Sequence, residues 1–204
     1  MSLTFDPVSH TYWWGKQKVP GVTKILKPLY GDLRFVKQDL LEYKSELGKA
    51  VHKAVELNVL DKLDFSTVFS PVEEYLEQYI KFEEESGFKA THAEVFVYSK
   101  LGYAGQVDLV GAFPNGRTAT IDVKTTAMIS PAVALQLMAY KKGIEDTLGI
   151  KVMDRYALRL TPDKYRLHQF KDDQTDLSGF VGFLSAYRWS EANGKTFEDM
   201  THVN

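Results

Sequence analysis

The sequence predicts a single α/β domain of mixed type, with a central sheet flanked by helices, and three observations carry that expectation. Its 204 residues are 44% hydrophobic, enough for one sizeable core and too apolar for a disordered chain. The apolar pattern changes near residue 91 from a helical period to strand-like alternation. Beyond that point strand-like and helical segments interleave.

The elements follow in order. "HTYWWGKQKV" reads as a strand, a Gly15-Lys16 turn and a returning strand. "GVTKILKPLY" begins a short helix with Thr23 near its start, which Pro28 ends or kinks. "DLRFVKQDLLEYKSELGKAVHKAVELNVL" has apolar residues at helical spacing, with Asp32 as its N-cap. In "SPVEEYLEQYIKFEEESG", Ser70 caps a helix, Pro71 takes its first position and Gly87 follows its end. "HAEVFVYS", "YAGQVDLVGAF" and "TATIDVKTT" are rich in strand-forming residues and separated by short turns, so an antiparallel meander is the simplest arrangement. "SPAVALQLMAYKKGIEDTLG" is a helix with Ser130 at its N-cap and Pro131 at its first position. "DRYALRL" and "YRLHQF" are strands around the turn Thr161-Pro162-Asp163-Lys164, and "DLSGFVGFLSAYRWSEANG" is a last helix whose Phe180, Phe183 and Tyr187 form a core stripe. One domain over 1–204 is expected. It has a hairpin and short helix at 1–30, a helical segment at 31–90, the main sheet with its helix at 91–172, and a helix and tail at 173–204.

Composition excludes several classes. With no cysteine, disulfides and thiolate metal sites are ruled out. No apolar run approaches the roughly 18 residues of a membrane span. "MSLTFDPVSHTYWW" carries neither a basic n-region nor an apolar h-region, so a cytoplasmic address is expected. A net charge of −2 gives no bulk attraction to nucleic acid. The clusters Lys16, Lys18, Lys24, Lys27 and Lys141, Lys142, Lys151, Arg155, Arg159 read as solvated surface.

Against this background, "GQVDLVGAFPNGRTATIDVKTT" stands out: it sets Asp108, Asp122 and Lys124 within two core-like strands around the turn Pro114-Asn115-Gly116. A buried charge needs an ion pair, a metal or a substrate to offset its desolvation. Alternation puts Asp122 and Lys124 on one face, with Ile121 and Val123 on the core face. On the neighbouring strand it puts Gln106, Asp108 and Val110 on one side, and Val107 and Leu109 on the other. Asp108 can then lie beside Asp122. Two close carboxylates repel, and a hard cation such as Mg²⁺ resolves that repulsion while activating a bound water. A nearby lysine can orient that water and offset transition-state charge. This division of labour suits phosphodiester hydrolysis. The plainer alternative is an Asp122–Lys124 ion pair without chemistry.

"GQVDLV…IDVKTT" resembles the D…(D/E)-x-K signature of the PD-(D/E)XK nuclease superfamily, with Asp108 as first acid, Asp122 as second and Lys124 as the lysine. "QLMAY", Gln136 to Tyr140, resembles the Q-x-x-x-Y element of its RecB-like exonuclease branch. "LGKAVHKAVE" resembles the upstream G-x-x-x-H helix, and Glu94 the acid on the strand before the first aspartate. The resemblance runs from about Gly48 to Tyr140. "DPVSHTYWWGKQKVPGVTKIL" is similar to the opening of small phage and prophage members. The resemblance implies a restriction-endonuclease-like core and a DNA nuclease, an exonuclease of phage-type recombination or repair. It implies catalytic roles for Asp108, Asp122, Lys124, Gln136 and Tyr140. It implies Mg²⁺ or Mn²⁺ held by Asp108, Asp122, Glu94 and His52, with His52 alternatively on a phosphate. Relatives with an iron–sulfur cluster use four cysteines, so no cluster is expected here. The partners implied are DNA, no membrane, and either further copies of the chain or a recombination protein. The rival functions are a structure-specific or restriction-type endonuclease, and a catalytically silent DNA-binding accessory protein.

Overall fold

Turn chemistry closes the central meander. In the computed structural model, which describes residues 1–30 and 37–195, Asn115 accepts the Arg117 N–H through Oδ1 at 3.0 Å and Gly116 takes φ +78°. The left-handed backbone there suits glycine. The strands it joins are β5 (Tyr103–Ala112) and β6 (Thr118–Lys124); β4 (Lys89–Ser99) precedes them, and β7 (Asp154–Thr161) and β8 (Lys164–Phe170) follow. The sheet order is β4-β5-β6-β7-β8, antiparallel except for the parallel β6–β7 pair. A parallel pair needs a crossover, and α4 (Ala132–Leu148) supplies it.

Helices cover both faces of this sheet, the mixed α/β arrangement expected. On one face, α2 (Gln38–Val59) and α3 (Ser70–Ser86) set Val51, Val55, Leu76 and Phe82 against Leu109, Ile121, Val123 and Leu158. On the other, α4, α1 (Val22–Ile25) and α5 (Asp173–Ala192) bury Ile25, Tyr140, Ile144, Phe180 and Tyr187 with Val97, Val107 and Val110. No helix among the described residues is long and apolar enough to cross a membrane.

Local expectations meet several differences. The N-terminal hairpin, β2 (Thr11–Trp14) and β3 (Gln17–Val19), gains a third strand, β1 (Leu3–Asp6), paired to β2. This small sheet leans on β4 through aromatic contact: Trp14 stacks on Tyr98 with ring centres 4.1 Å apart, and Phe5 meets Phe96 at 5.1 Å. Ser70 is the first residue of α3 rather than its cap; Phe69 holds the cap position without a side-chain bond. At α4 the cap position falls on Pro131, while Ser130 Oγ accepts the Ala132 N–H at 3.2 Å from one residue earlier. The proposed cap Asp32 lies outside the described residues.

Arg155 does not join a solvated cluster. Its side chain is fully buried and donates to Asp173, to Asp176 and to the Ala134 carbonyl at 2.7–2.8 Å, tying β7 to α4 and α5. Lys141 reaches the same Asp173 at 2.6 Å.

Candidate active site

The alternation expected of β5 fails at one row, and that row builds the site. Val107 packs in the α4 cluster while Leu109 packs in the α2–α3 cluster, although two residues should share a face. On β4, Val95 and Ala93 divide in the same way. Between them Glu94 holds φ +48°, uncommon for a residue with a side chain. The two strands thus change sense together at Glu94 and Asp108, and both carboxylates turn into the gap between the cores.

The β5–β6 pairing begins at Leu109 with Ile121. One residue beyond, Asp108 Oδ2 accepts the Val123 N–H at 2.7 Å, a side chain standing in for a ladder partner. From α2, His52 Nδ1 lies 3.2 Å from Glu94 Oε1 and 3.6 Å from Asp108 Oδ2. Gly48, one turn earlier on the same face, lets the helix approach: a Cβ there would sit 3.3 Å from Thr125 Oγ1, directly after Lys124. The G-x-x-x-H spacing therefore serves both approach and placement.

Asp122 faces α4, as alternation requires. Its Oδ1 accepts Gln136 Nε2 at 2.9 Å, and the Lys124 ammonium lies 2.8 Å from its Oδ2. The buried Oδ2 thus has the Lys124 ammonium as its close charged neighbour. Gln136 Nε2 also reaches Tyr140 Oη at 3.1 Å, and Gln136 Oε1 accepts the Tyr30 hydroxyl at 3.2 Å. Both amide hydrogens are occupied inside the protein. Gln136 and Tyr140, each 4% exposed, are buried beside Asp122 and line the same cleft.

Burial and mutual charge set the ionisation. Burial raises Asp122 to about 6, with Lys124 opposing and Asp108 adding to the rise. Burial raises Asp108 likewise, against His52 and Lys124. For His52, burial disfavours the cation, but the charge of Asp108 and the bond to Glu94 prevail and lift it to about 9. Lys124 is treated the same way: burial opposes its charge, and Asp122, then Asp108, hold it above its ordinary value. At neutral pH the metal-free cluster is held together by one imidazolium and one ammonium.

Of the residues singled out from the sequence, His52, Glu94 and Asp108 form a group with ligand atoms within 4.8 Å of one another. Asp122 and Lys124 adjoin it as a separate ion pair. A cleft of about 200 Å³ lies over Glu94, Asp108, Asp122 and Lys124. Its far wall contains His10, Tyr12, Thr23 and Gln106, and Tyr30 reaches the site from behind Gln136. Sequence reading missed these five. Four of them come from the N-terminal segment, and no local spacing ties that segment to β5 or α4.

Gly105 has a specific steric role here. A Cβ on it would lie 2.6 Å from Tyr140 Cε1 and 3.3 Å from Val22 Cγ2. Gly105→Ala should cost about 1–3 kcal/mol through overpacking, and should slow turnover by displacing Tyr140 and with it Gln136. Thermal unfolding and activity assays check both effects; an unchanged melting temperature contradicts the packing claim.

No family model matches the chain, and no curated protein matches it. Among solved structures it is similar to a candidate exonuclease from Eubacterium rectale, with a TM-score of 0.49 and 13% identity over 74% of this chain and 69% of that one. An alkaline exonuclease from Laribacter hongkongensis aligns with a TM-score of 0.37 and 11% identity, over 86% of this chain and 93% of the other.

Proposed function

We propose that this protein is a divalent-metal-dependent nuclease that hydrolyses DNA phosphodiester bonds, working from free ends in phage-type recombination or repair. One observation carries the reading: a buried aspartate held between a lysine and a glutamine, beside a second set of two carboxylates and an imidazole. A structural ion pair needs only Asp122 and Lys124. It does not account for Glu94 held at φ +48° to aim a third carboxylate at the same place.

The donors fit Mg²⁺ or Mn²⁺. Asp108, Glu94 and His52 are mutually within ligand range, and Asp122 Oδ2, buried beside the Lys124 ammonium, is a further carboxylate oxygen at the same cleft. When bound, such an ion supplies an activated water and neutralises developing charge on phosphate. The chain's own groups do the rest. Lys124, 24% exposed beside buried Asp122, presents its ammonium to the cleft, where it holds the attacking water and offsets transition-state charge. Gln136, fixed by Tyr30 and Tyr140, keeps Asp122 in one orientation. Gln136 and Tyr140 thereby act as positioning residues in this reading.

Digestion of linear against covalently closed circular DNA tests the mode of attack. Linear molecules should be consumed progressively at enzyme levels that leave closed circles intact. Cutting of closed circles at defined sites would replace the exonuclease reading with an endonuclease and leave the chemistry standing.

A further inference from the structure

Across three neighbouring strands, one row of the sheet carries only cations. Lys124 on β6 lies opposite Arg159 on β7, and Arg159 lies opposite Arg166 on β8. Lys124 has Asp122 to balance it. The two arginines have no such partner: among the described residues neither forms an ion pair, and Arg159 donates only to the Thr126 carbonyl, at 3.0 Å. Like charges directly opposite on adjacent strands destabilise a sheet. An anion from outside would relieve that repulsion.

The surroundings agree. Arg159 and Arg166 line a cavity of about 610 Å³ together with His168, and no acidic side chain is among its lining residues. His168 is on the Arg166 face of β8, braced by Phe170 at 4.7 Å between ring centres. The floor is the segment joining Lys124 to α4, pinned by the Arg159–Thr126 bond. This concentration of positive charge belongs to a chain of net charge −2. Strand spacing puts Arg166 about 10 Å from Lys124 along the row.

We infer that Arg159, Arg166 and His168 form a phosphate-binding track that carries the polynucleotide backbone from the Lys124 site to the β8 edge. The inference rests on the nuclease reading for its choice of a polynucleotide as ligand. Arginine suits the task, because its fork of donors matches phosphate oxygens.

The test is binding of a fluorescein-labelled single-stranded DNA by the full chain in EDTA, followed by anisotropy across a salt series. Arg166→Gln should weaken binding about threefold to tenfold and lower the slope of log affinity against log salt by about 0.7, the share of one phosphate contact. Lys100→Gln, in the β4–β5 turn away from the row, should change neither. Arg166 is exposed and unpaired, so its variant should melt no lower than the parent. Unchanged affinity and slope in Arg166→Gln would overturn the track. So would thermal stabilisation by inorganic phosphate that Arg166→Gln abolishes while DNA affinity stays the same, since that describes a site for a free anion. If instead the slope falls as expected but the metal-loaded parent hydrolyses nothing, the track stands and the nuclease reading fails.

Discussion

Lys124→Ala should remain folded and hydrolyse DNA at least about 100-fold more slowly, the scale of losing one positioned electrostatic or acid–base group. Among the described residues the ammonium is the one cationic side chain paired with Asp122, at 2.8 Å, and it also faces the cleft. The variant survives because Asp122 can take up a proton. Burial already lifts Asp122 to about 6 with Lys124 opposing that rise, so removing Lys124 moves it higher. The sign of the pH dependence follows. A carboxyl whose folded pKa is raised above its unfolded value favours the folded state less as pH climbs past the unfolded value. Below about pH 6 parent and variant should lose stability in parallel, and above it Lys124→Ala should go on losing stability where the parent levels off, which melting curves from pH 4 to 9 will read. Equal stability profiles would show that Lys124 does not control Asp122. Lys124→Arg should rescue poorly, because a planar guanidinium does not occupy the place of a compact ammonium.

Asp108→Asn should abolish detectable hydrolysis and weaken metal binding, while leaving the fold intact. The amide oxygen can still accept the Val123 N–H that Asp108 Oδ2 accepts at 2.7 Å, so the end of the β5–β6 ladder keeps its partner. What disappears is charge. Burial disfavours the His52 cation, and the charge of Asp108 is the largest single effect opposing it, ahead of the bond to Glu94, in lifting it to about 9. In Asp108→Asn the His52 titration, followed by NMR on metal-free protein, should shift to lower pH. In the parent, a metal must displace the His52 proton, so affinity should rise with pH up to about 9 and calorimetry should register proton release on binding. A His52 midpoint unmoved by Asp108→Asn would contradict the coupling on which the site is built.

Much of this was legible in the sequence because it depends on local periodicity. The strands of the meander, the crossover helix and the Asp122–Lys124 face follow from spacing of two and of three to four residues. The pairing of Gln136 with Tyr140 follows from one helical turn. Four things were not legible. The change of sense at Glu94 and Asp108 requires a left-handed backbone at Glu94, which no residue type there announces. Arg155 looks like a surface cation in the chain, and only the convergence of Asp173, Asp176 and the Ala134 carbonyl explains its burial. Tyr30 meets Gln136 across 106 residues, a contact that tertiary packing alone creates. The cationic row is of the same kind: Lys124, Arg159 and Arg166 are far apart in sequence and become neighbours through strand register.

The most direct test of the account is hydrolysis of end-labelled linear DNA by protein stripped of metal, with Mg²⁺ or Mn²⁺ then titrated back and Asp108→Asn prepared in parallel to expose any contaminating nuclease. The account predicts no cleavage in EDTA, recovery on adding either ion, and no recovery in Asp108→Asn. Full cleavage in excess EDTA, or equal cleavage by parent and Asp108→Asn, would contradict it.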